Sequence, residues 1–273
     1  MQLGIFAKTF PGTDPQRVLS AVRENGFATT QFNLACVGLP SMPNAVAPET
    51  IAAIGAASRS TGVSLAALSG TYNMAHPEKT VRDTGFKQLA IVIETAAALQ
   101  IPLVTLCTGS RNAQDQWMGH PDNALPTAWA DMAAEMEKAL ELAERHDIYL
   151  GIEPEQANIV TSAADAVRLI NEMGSKRLRI VLDPANLFER ATAAEVSDIV
   201  ERAVDVSAGH ITMAHAKDRH ADGRFATVGQ GIVNFPAFVN SLRVTGFDGP
   251  LVAHGLAAVE APAVARYLSD LVR

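Results

Sequence analysis

The amino-acid sequence predicts an α/β fold, a (β/α)8 TIM barrel formed by a single domain that spans residues 1–273. Three observations predict it. Short apolar runs alternate with longer amphipathic stretches, the segments that follow several runs are long and polar, and no linker rich in proline and serine divides the chain. A doubly wound open sheet is the competing layout, but no G-x-G-x-x-G motif follows the first predicted strand to support it.

Eight short apolar runs are the predicted strands. They begin near Leu3, Ala28, Val63, Leu103, Ile148, Leu178, Ile211 and Leu251. Long polar segments follow four of them: Phe32–Pro48, Ser69–Pro77, Thr108–Pro126 and Lys217–Asn234. In barrels of this kind the carboxyl ends of the strands and the loops after them build the active site, so we expect the functional residues at that end.

Eight amphipathic stretches between the strands are the predicted helices. They are Asp14–Asn25, Glu49–Ser60, Glu78–Leu99, Thr127–Arg145, Ser162–Met173, Ala193–Val206, Phe235–Val244 and Ala261–Val272. In the fourth stretch, the apolar residues Trp129, Met132 and Met136 recur near the helical period while acidic and basic residues face elsewhere. Glycines, which suit the left-handed end of a helix, follow four of the stretches: Gly26, Gly62, Gly174 and Gly246.

The composition argues against several classes of protein. A chain of 273 residues with 48% hydrophobic content can bury a full-sized core. Its formal net charge of −7 argues against nucleic acid or an acidic membrane surface as the main partner. No apolar run reaches the roughly 18 residues of a membrane span, and the start lacks the features of a signal peptide. Two cysteines far apart in sequence favour a reducing compartment, so we expect a cytoplasmic protein.

Four metal-binding residue types stand where four successive strands are predicted to end. They are Glu153, Asp183, His215 and His254, and each closes an apolar run. Carboxylates and imidazoles are ligands for divalent metals, and a buried charge at a strand end is costly without a partner. A helix N-cap would explain Asp183 alone, and a core histidine would explain His215 alone, but neither explains all four. The pattern therefore predicts one shared metal site.

Several residues near these strand ends are candidates for contact with a substrate. Glu155 follows Glu153, Asn186 follows Asp183 by three positions, and Lys217 shares the inward parity of His215. Arg219 lies in the charged run after His215, for which a solvated loop is an equally good interpretation. His76, in the loop after the third strand, is expected to reach over the mouth of the barrel.

The sequence resembles the xylose isomerase-like barrels, a superfamily of sugar isomerases and epimerases with a DNA-repair endonuclease branch. The resemblance runs over nearly the full length, and its motifs are Gly151–Glu155, Leu182–Leu187, His215–Asp218 and Val228–Gly231. In the ketose epimerases and hydroxypyruvate isomerases of this superfamily, Glu, Asp, His and Glu hold the metal. Glu153, Asp183 and His215 match the first three, and His254 stands where the second Glu is expected.

The resemblance implies a metal-dependent isomerase or epimerase that acts on a small sugar, ketose or hydroxy-keto acid through an enediolate. Glu153 is the expected proton acceptor, with Glu155 as the substitute, and Lys217 is expected to neutralise the developing negative charge. One divalent ion is implied, and mixed oxygen and nitrogen ligands suit Mn²⁺, Co²⁺, Zn²⁺ or Fe²⁺ better than Mg²⁺.

Two alternatives remain at this stage. Because the second Glu is missing, the same intermediate could instead serve a lyase, dehydratase or decarboxylase on a keto sugar or keto acid. The barrel could also be a binding protein without turnover. The expected partner in every case is a small-molecule carbohydrate or keto acid, not nucleic acid or a membrane, and homo-oligomerisation is left open.

Overall fold

The eight strands of the computed structural model, which describes residues 1–273, pair in parallel and close into a barrel in chain order. The strands are β1 Gln2–Phe6, β2 Thr29–Phe32, β3 Ser64–Ser69, β4 Leu103–Leu106, β5 Tyr149–Ile152, β6 Leu178–Leu182, β7 Ile211–Ala216 and β8 Pro250–Ala253. β1 pairs with both β2 and β8, which closes the sheet. Each strand begins within one residue of its predicted position, and the predicted (β/α)8 barrel is confirmed.

One long helix follows each strand. The helices are α1 Pro15–Glu24, α2 Pro48–Thr61, α3 Lys79–Ala98, α4 Pro126–Arg145, α5 Ala163–Met173, α6 Ala193–Val206, α7 Phe235–Val244 and α8 Ala261–Val272. Side-chain caps define where several of them begin: Asp14 accepts the N–H of Gln16 at 2.9 Å, and Thr192 forms a capping box with Glu195. No helix has the length and apolarity that crossing a membrane requires.

A small apolar cluster fills the interior of the barrel, apart from the larger core between the strands and the helices. Its members are Ala67, Leu103, Val181, Met213 and Val252. Residues two apart on a strand share a face, so Val181 in the interior places Asp183 on the same inner side. Met213 and His215 in β7 are related in the same way. The strand register therefore puts polar side chains directly above the apolar interior.

The loops at the carboxyl end of the strands add short elements of their own. A 3-10 helix, Pro184–Asn186, begins directly after Asp183. The long segment after β7 contains a hairpin in which Asp218–Arg219 pairs antiparallel with Phe225–Ala226. This end of the barrel carries the charged motifs of the sequence.

We expect Gly151→Ala to destabilise the barrel by about 1–3 kcal/mol, because an added Cβ overpacks the interior. A Cβ at Gly151 would lie 2.7 Å from Cγ2 of Val181 and 3.0 Å from Cδ1 of Leu103. The matched control is Gly119→Ala, whose Cβ would have no neighbour closer than 3.8 Å. Thermal unfolding followed by circular dichroism measures both variants, and equal midpoints would contradict a tightly packed interior.

Candidate metal centre and active site

Three of the four predicted ligands lie within reach of a single cation. Glu153 directly follows β5, Asp183 directly follows β6, and His215 is the penultimate residue of β7. One donor atom from each lies within 4.8 Å of the other two. His215 Nδ1 is 3.3 Å from Oε1 of Glu153 and 3.4 Å from Oδ2 of Asp183. We call these three residues the donor group.

Asp183 is fully buried, and only one of its carboxylate oxygens has a hydrogen-bond partner. Oδ1 accepts the N–H of Ala185 at 2.9 Å and so caps the short helix that follows, while Oδ2 is buried without a partner. Burial raises the pKa of this carboxyl, but the positive charges of Lys217 and His215 outweigh it and hold the pKa well below its usual range. A buried anion with an unpartnered oxygen is costly, so this environment suits a cation.

His215 is oriented by Gln31, a residue that the sequence analysis does not predict. Its Nε2 lies 2.8 Å from Oε1 of Gln31 on β2, and the amide nitrogen of Gln31 donates to the hydroxyls of Ser69 and Thr105, each at 3.1 Å. The Gln31 oxygen is thereby directed at Nε2, which leaves Nδ1 facing the carboxylates. The one sequence signal for Gln31 was a polar residue near the end of a predicted strand.

The donor group fits a divalent metal ion. Two carboxylates and one imidazole are a common ligand set for such ions, and the free Oδ2 of Asp183 and Nδ1 of His215 face each other. Neighbouring groups orient all three ligands, as is usual in metal centres: Gln31 holds His215, the Ala185 N–H holds Asp183, and Asn186 donates to Glu153 at 2.6 Å. Without a cation, burial lowers the pKa of His215, but the Glu153 and Asp183 carboxylates raise it to about 9.

His254 lies beside the donor group and is not one of its members. Its ring stacks between His215, with ring centroids 5.2 Å apart, and Phe6, with centroids 4.7 Å apart. Nδ1 of His254 is buried without a hydrogen-bond partner. Burial, followed by the charges of His215 and Lys217, lowers its pKa to about 3, so the ring is neutral. A ligand role for His254 stays a prediction.

A chain of hydrogen bonds joins Glu153 to Lys217 through Asn186. The Asn186 amide nitrogen donates to Glu153, and its oxygen accepts from Nζ of Lys217 at 2.9 Å. Glu155 lies beside this chain, and burial together with the charge of Glu153 raises its pKa to about 7. These side chains line the cavity at the carboxyl end of the barrel, with the polar groups that a hydroxylated substrate needs.

The cavity has a volume of about 630 Å³ and also contains Arg219. The Arg219 guanidinium lies 4.4 Å from the ring centroid of Phe225, across the hairpin. The hairpin is held in place by Asp218, whose buried carboxylate accepts the N–H groups of Gly229, Gly231 and Val233 at 2.8–3.1 Å. Arg219 therefore projects from an anchored loop.

His76 requires a correction, because the structure places it away from the cavity lining. Its ring is buried in its own loop, where Nδ1 accepts the N–H of Glu78 at 3.1 Å and Nε2 donates to the carbonyl of Ala113 at 3.3 Å. Both nitrogens are occupied by backbone groups. His76 thus joins the loops after β3 and β4 and does not reach over the mouth.

Comparison with known proteins gives one match to a family model and several to solved structures. A model described as xylose isomerase-like TIM barrel matches residues 19–268. Over 142 residues the chain is 25% identical to an uncharacterized protein of Methanocaldococcus jannaschii, a match that covers 48% of this chain and 47% of that protein. The chain thus spans about half the length of this curated relative.

Two solved structures illustrate the similarity in fold. The apo form of 3-keto-D-glucoside 4-epimerase, YcjR, from E. coli has a TM-score of 0.77 at 19% identity, with 99% of this chain and 98% of that chain covered. L-ribulose 3-epimerase has a TM-score of 0.77 at 17% identity, with 99% and 94% covered. At such identities the similarity establishes the barrel alone.

We expect Asp183→Asn to weaken Mn²⁺ binding by about a hundredfold or more. Substitution of a residue that only orients a metal ligand typically lowers metal affinity by about 10–100-fold. Asp183→Asn removes the charge of a predicted ligand itself, so the loss should be at least as large. The control is Asp222→Asn, an exposed hairpin carboxylate that pairs with Arg224. Calorimetric titration with Mn²⁺ measures both, and an unchanged affinity for Asp183→Asn would rule out the donor group as the metal site.

We expect His254→Phe to weaken Mn²⁺ binding by more than about threefold, because the predicted ligand role assigns the unpartnered Nδ1 of His254 to the ion. Phenylalanine preserves the stack between Phe6 and His215, so the substitution separates ligation from packing. His254→Ala removes both. If His254→Phe loses less than threefold in Mn²⁺ affinity while His254→Ala loses more, the role of His254 is stacking and not ligation.

Proposed function

Because this chain belongs to the xylose isomerase-like TIM barrel family, we propose that it is a metal-dependent isomerase or epimerase of a small sugar, ketose or hydroxy-keto acid. The observation that carries the proposal is the donor group, Glu153, Asp183 and His215, at the carboxyl end of the strands where the cavity opens. Two structural neighbours are named as sugar epimerases, which favours the same class of reaction here.

The cavity supports a small polyhydroxylated substrate. Its volume of about 630 Å³ lies within the range of about 300–1,000 Å³ that is typical of small-molecule sites. A divalent cation at the donor group would polarise adjacent carbonyl and hydroxyl oxygens and so acidify the C–H bond between them. The side chains around it must then accept a proton, return it, and balance the charge that develops.

We propose Glu153 as the group that accepts and returns the proton, with Glu155 as the substitute. Glu153 is positioned by Asn186 at 2.6 Å and borders the cavity. Its Oε1 also faces His215, so part of this carboxylate belongs to the donor group. A general base needs a suitable position and a pKa near the working pH. Glu155 meets the pKa requirement, since its pKa of about 7 matches neutral conditions. Separate substitution of the two residues distinguishes their roles.

Lys217 is the proposed electrophile. Its Nζ is held 2.9 Å from the Asn186 oxygen and 4.0 Å from the ring centroid of Phe225, which fixes the ammonium at the cavity wall. A preorganised positive charge stabilises a developing oxyanion without reorganisation during the reaction.

A lyase, dehydratase or decarboxylase is the second candidate, and His254 is the observation that favours it. The neutral His254 ring occupies the position at which the family resemblance leads one to expect a second glutamate. Without that carboxylate, the opposite face of the substrate carbon has no matching base. Loss of a leaving group from the same intermediate would then compete with return of the proton.

The test is a screen in D₂O of ketoses, hydroxypyruvate and 3-keto sugar acids with the Mn²⁺- or Co²⁺-loaded protein. Deuterium at the carbon next to the carbonyl, with recovery of an isomer, supports the isomerase or epimerase. Elimination or loss of CO₂ supports the lyase. Binding of a substrate without any deuterium exchange would identify a barrel that binds but does not turn over.

We expect Glu153→Gln to lower kcat by more than about tenfold, which corresponds to about 1.4 kcal/mol in the barrier, because an amide cannot accept a proton. Metal content is measured in parallel, since Glu153 also belongs to the donor group. The control is Glu141→Gln, an exposed residue on α4. If Glu153→Gln keeps more than a tenth of kcat and Glu155→Gln does not, the proton acceptor is Glu155.

A further inference from the structure

The charged side chains that line the cavity follow different strands according to their sign. The carboxylates follow β5 and β6, whereas the cations follow β7 and, across β8, β1. The residues are Glu153, Glu155 and Glu189 on the acidic side and Lys8, Lys217 and Arg219 on the basic side. The cations of the basic side therefore line the same cavity into which the donor group opens.

The three cations of the basic side have no carboxylate partner within 4.0 Å. Two arginines outside the cavity lining are paired, by contrast: Arg111 lies 2.8 Å from Asp131, and Arg82 lies 3.3 Å from the same residue. Arg219 differs, because its buried Nε has no hydrogen-bond partner and its guanidinium is held only by aromatic rings, with Phe225 at 4.4 Å. A guanidinium without a partner in a cavity is available for an anion.

We propose that the substrate is a sugar acid, with its carboxylate bound by Arg219 on the basic side while its reacting carbons lie at the donor group. This inference rests on the proposed function and narrows its substrate class. The planar guanidinium binds a carboxylate with two parallel hydrogen bonds, and Lys8 and Lys217 add to the positive potential on that wall.

A carboxylate suits this site better than a phosphate does. Phosphate sites commonly use several free backbone N–H groups in a glycine-rich loop. The glycine-containing loop near Arg219 has its N–H groups of Gly229 and Gly231 already donating to the Asp218 carboxylate, at 3.0 Å and 2.8 Å. The basic side therefore offers one guanidinium and two ammonium groups to an anion, and no free backbone N–H groups from this loop's Gly229 and Gly231.

The experiment is calorimetric binding of two matched pairs to the Mn²⁺-loaded protein: D-fructuronate against D-fructose, and D-tagaturonate against D-tagatose. The members of each pair differ only in the carboxylate or hydroxymethyl group at carbon 6. We expect at least one acid to bind about tenfold or more tightly than its neutral partner. Arg219→Gln should abolish that preference, while Arg224→Gln, an exposed arginine of the same hairpin, should keep it.

A salt titration of the wild-type protein gives a second readout that does not depend on the folding of a variant. The preference for the acid should fall between 50 and 500 mM NaCl, since added salt screens the carboxylate from the cations, whereas binding of the neutral ketose should not change. D-fructose 6-phosphate is the third ligand, and tighter binding of this ester than of either acid would overturn the assignment of a carboxylate.

The proposal is overturned if neither acid binds more tightly than its neutral partner, or if Arg219→Gln retains the preference. These results are independent of the proposed reaction. An Arg219-dependent preference without deuterium exchange would leave the anion site standing and remove the isomerase or epimerase. Turnover of a neutral ketose without a preference for the acid would support the isomerase or epimerase and overturn the anion site.

Discussion

Side chains two residues apart on a barrel strand point to the same face. On the inner face, this alternation determines where apolar packing ends and where the polar side chains of the candidate site lie. Val181 belongs to the apolar interior, and Asp183 stands one step above it on the same face. Met213 and His215 repeat this relation on the next strand. Because the strands are parallel around a closed sheet, their carboxyl ends lie at the same end of the barrel, and such steps bring polar side chains together there. The donor group is therefore a consequence of the barrel, and its position requires no special loop.

Burial then determines what these side chains can do. Asp183 has no exposure to water, so its unpartnered oxygen must be compensated by positive charge from His215, Lys217 or a bound cation. The same burial makes the hydrogen bonds to Gln31 and Asn186 important, because they fix the directions of ligand atoms in a dry environment. The proposed metal site would therefore be oriented before an ion or a substrate binds, which is the property that an electrostatic catalyst needs.

The sequence predicted the strands, the helices and the three members of the donor group, because all of these follow from local periodicity and from the residue that ends each apolar run. Its failures involve contacts between distant segments. Gln31 reaches His215 from 184 positions away, across the barrel, and no local pattern encodes the direction of its amide. His76 was expected at the mouth, yet backbone groups of two loops occupy both of its nitrogens. The stacking of His254 between two rings likewise depends on neighbours from other strands.

The presence of histidine at position 254 connects the metal centre with the charge of the substrate. The family resemblance leads one to expect a glutamate there. Burial and the charge of His215 lower the pKa of His254 most, and the charges of Lys217 and Lys8 lower it further, so a carboxylate at this position would feel both ammonium groups. It would offset part of the positive charge of the basic side. A neutral imidazole cannot do so, and the cations stay without an anionic partner. We infer that histidine at this one position both removes a second base near the reacting carbon and leaves positive charge for the proposed substrate carboxylate. The proposed departure from the family's mechanism and the proposed preference for a sugar acid thus follow from the same residue.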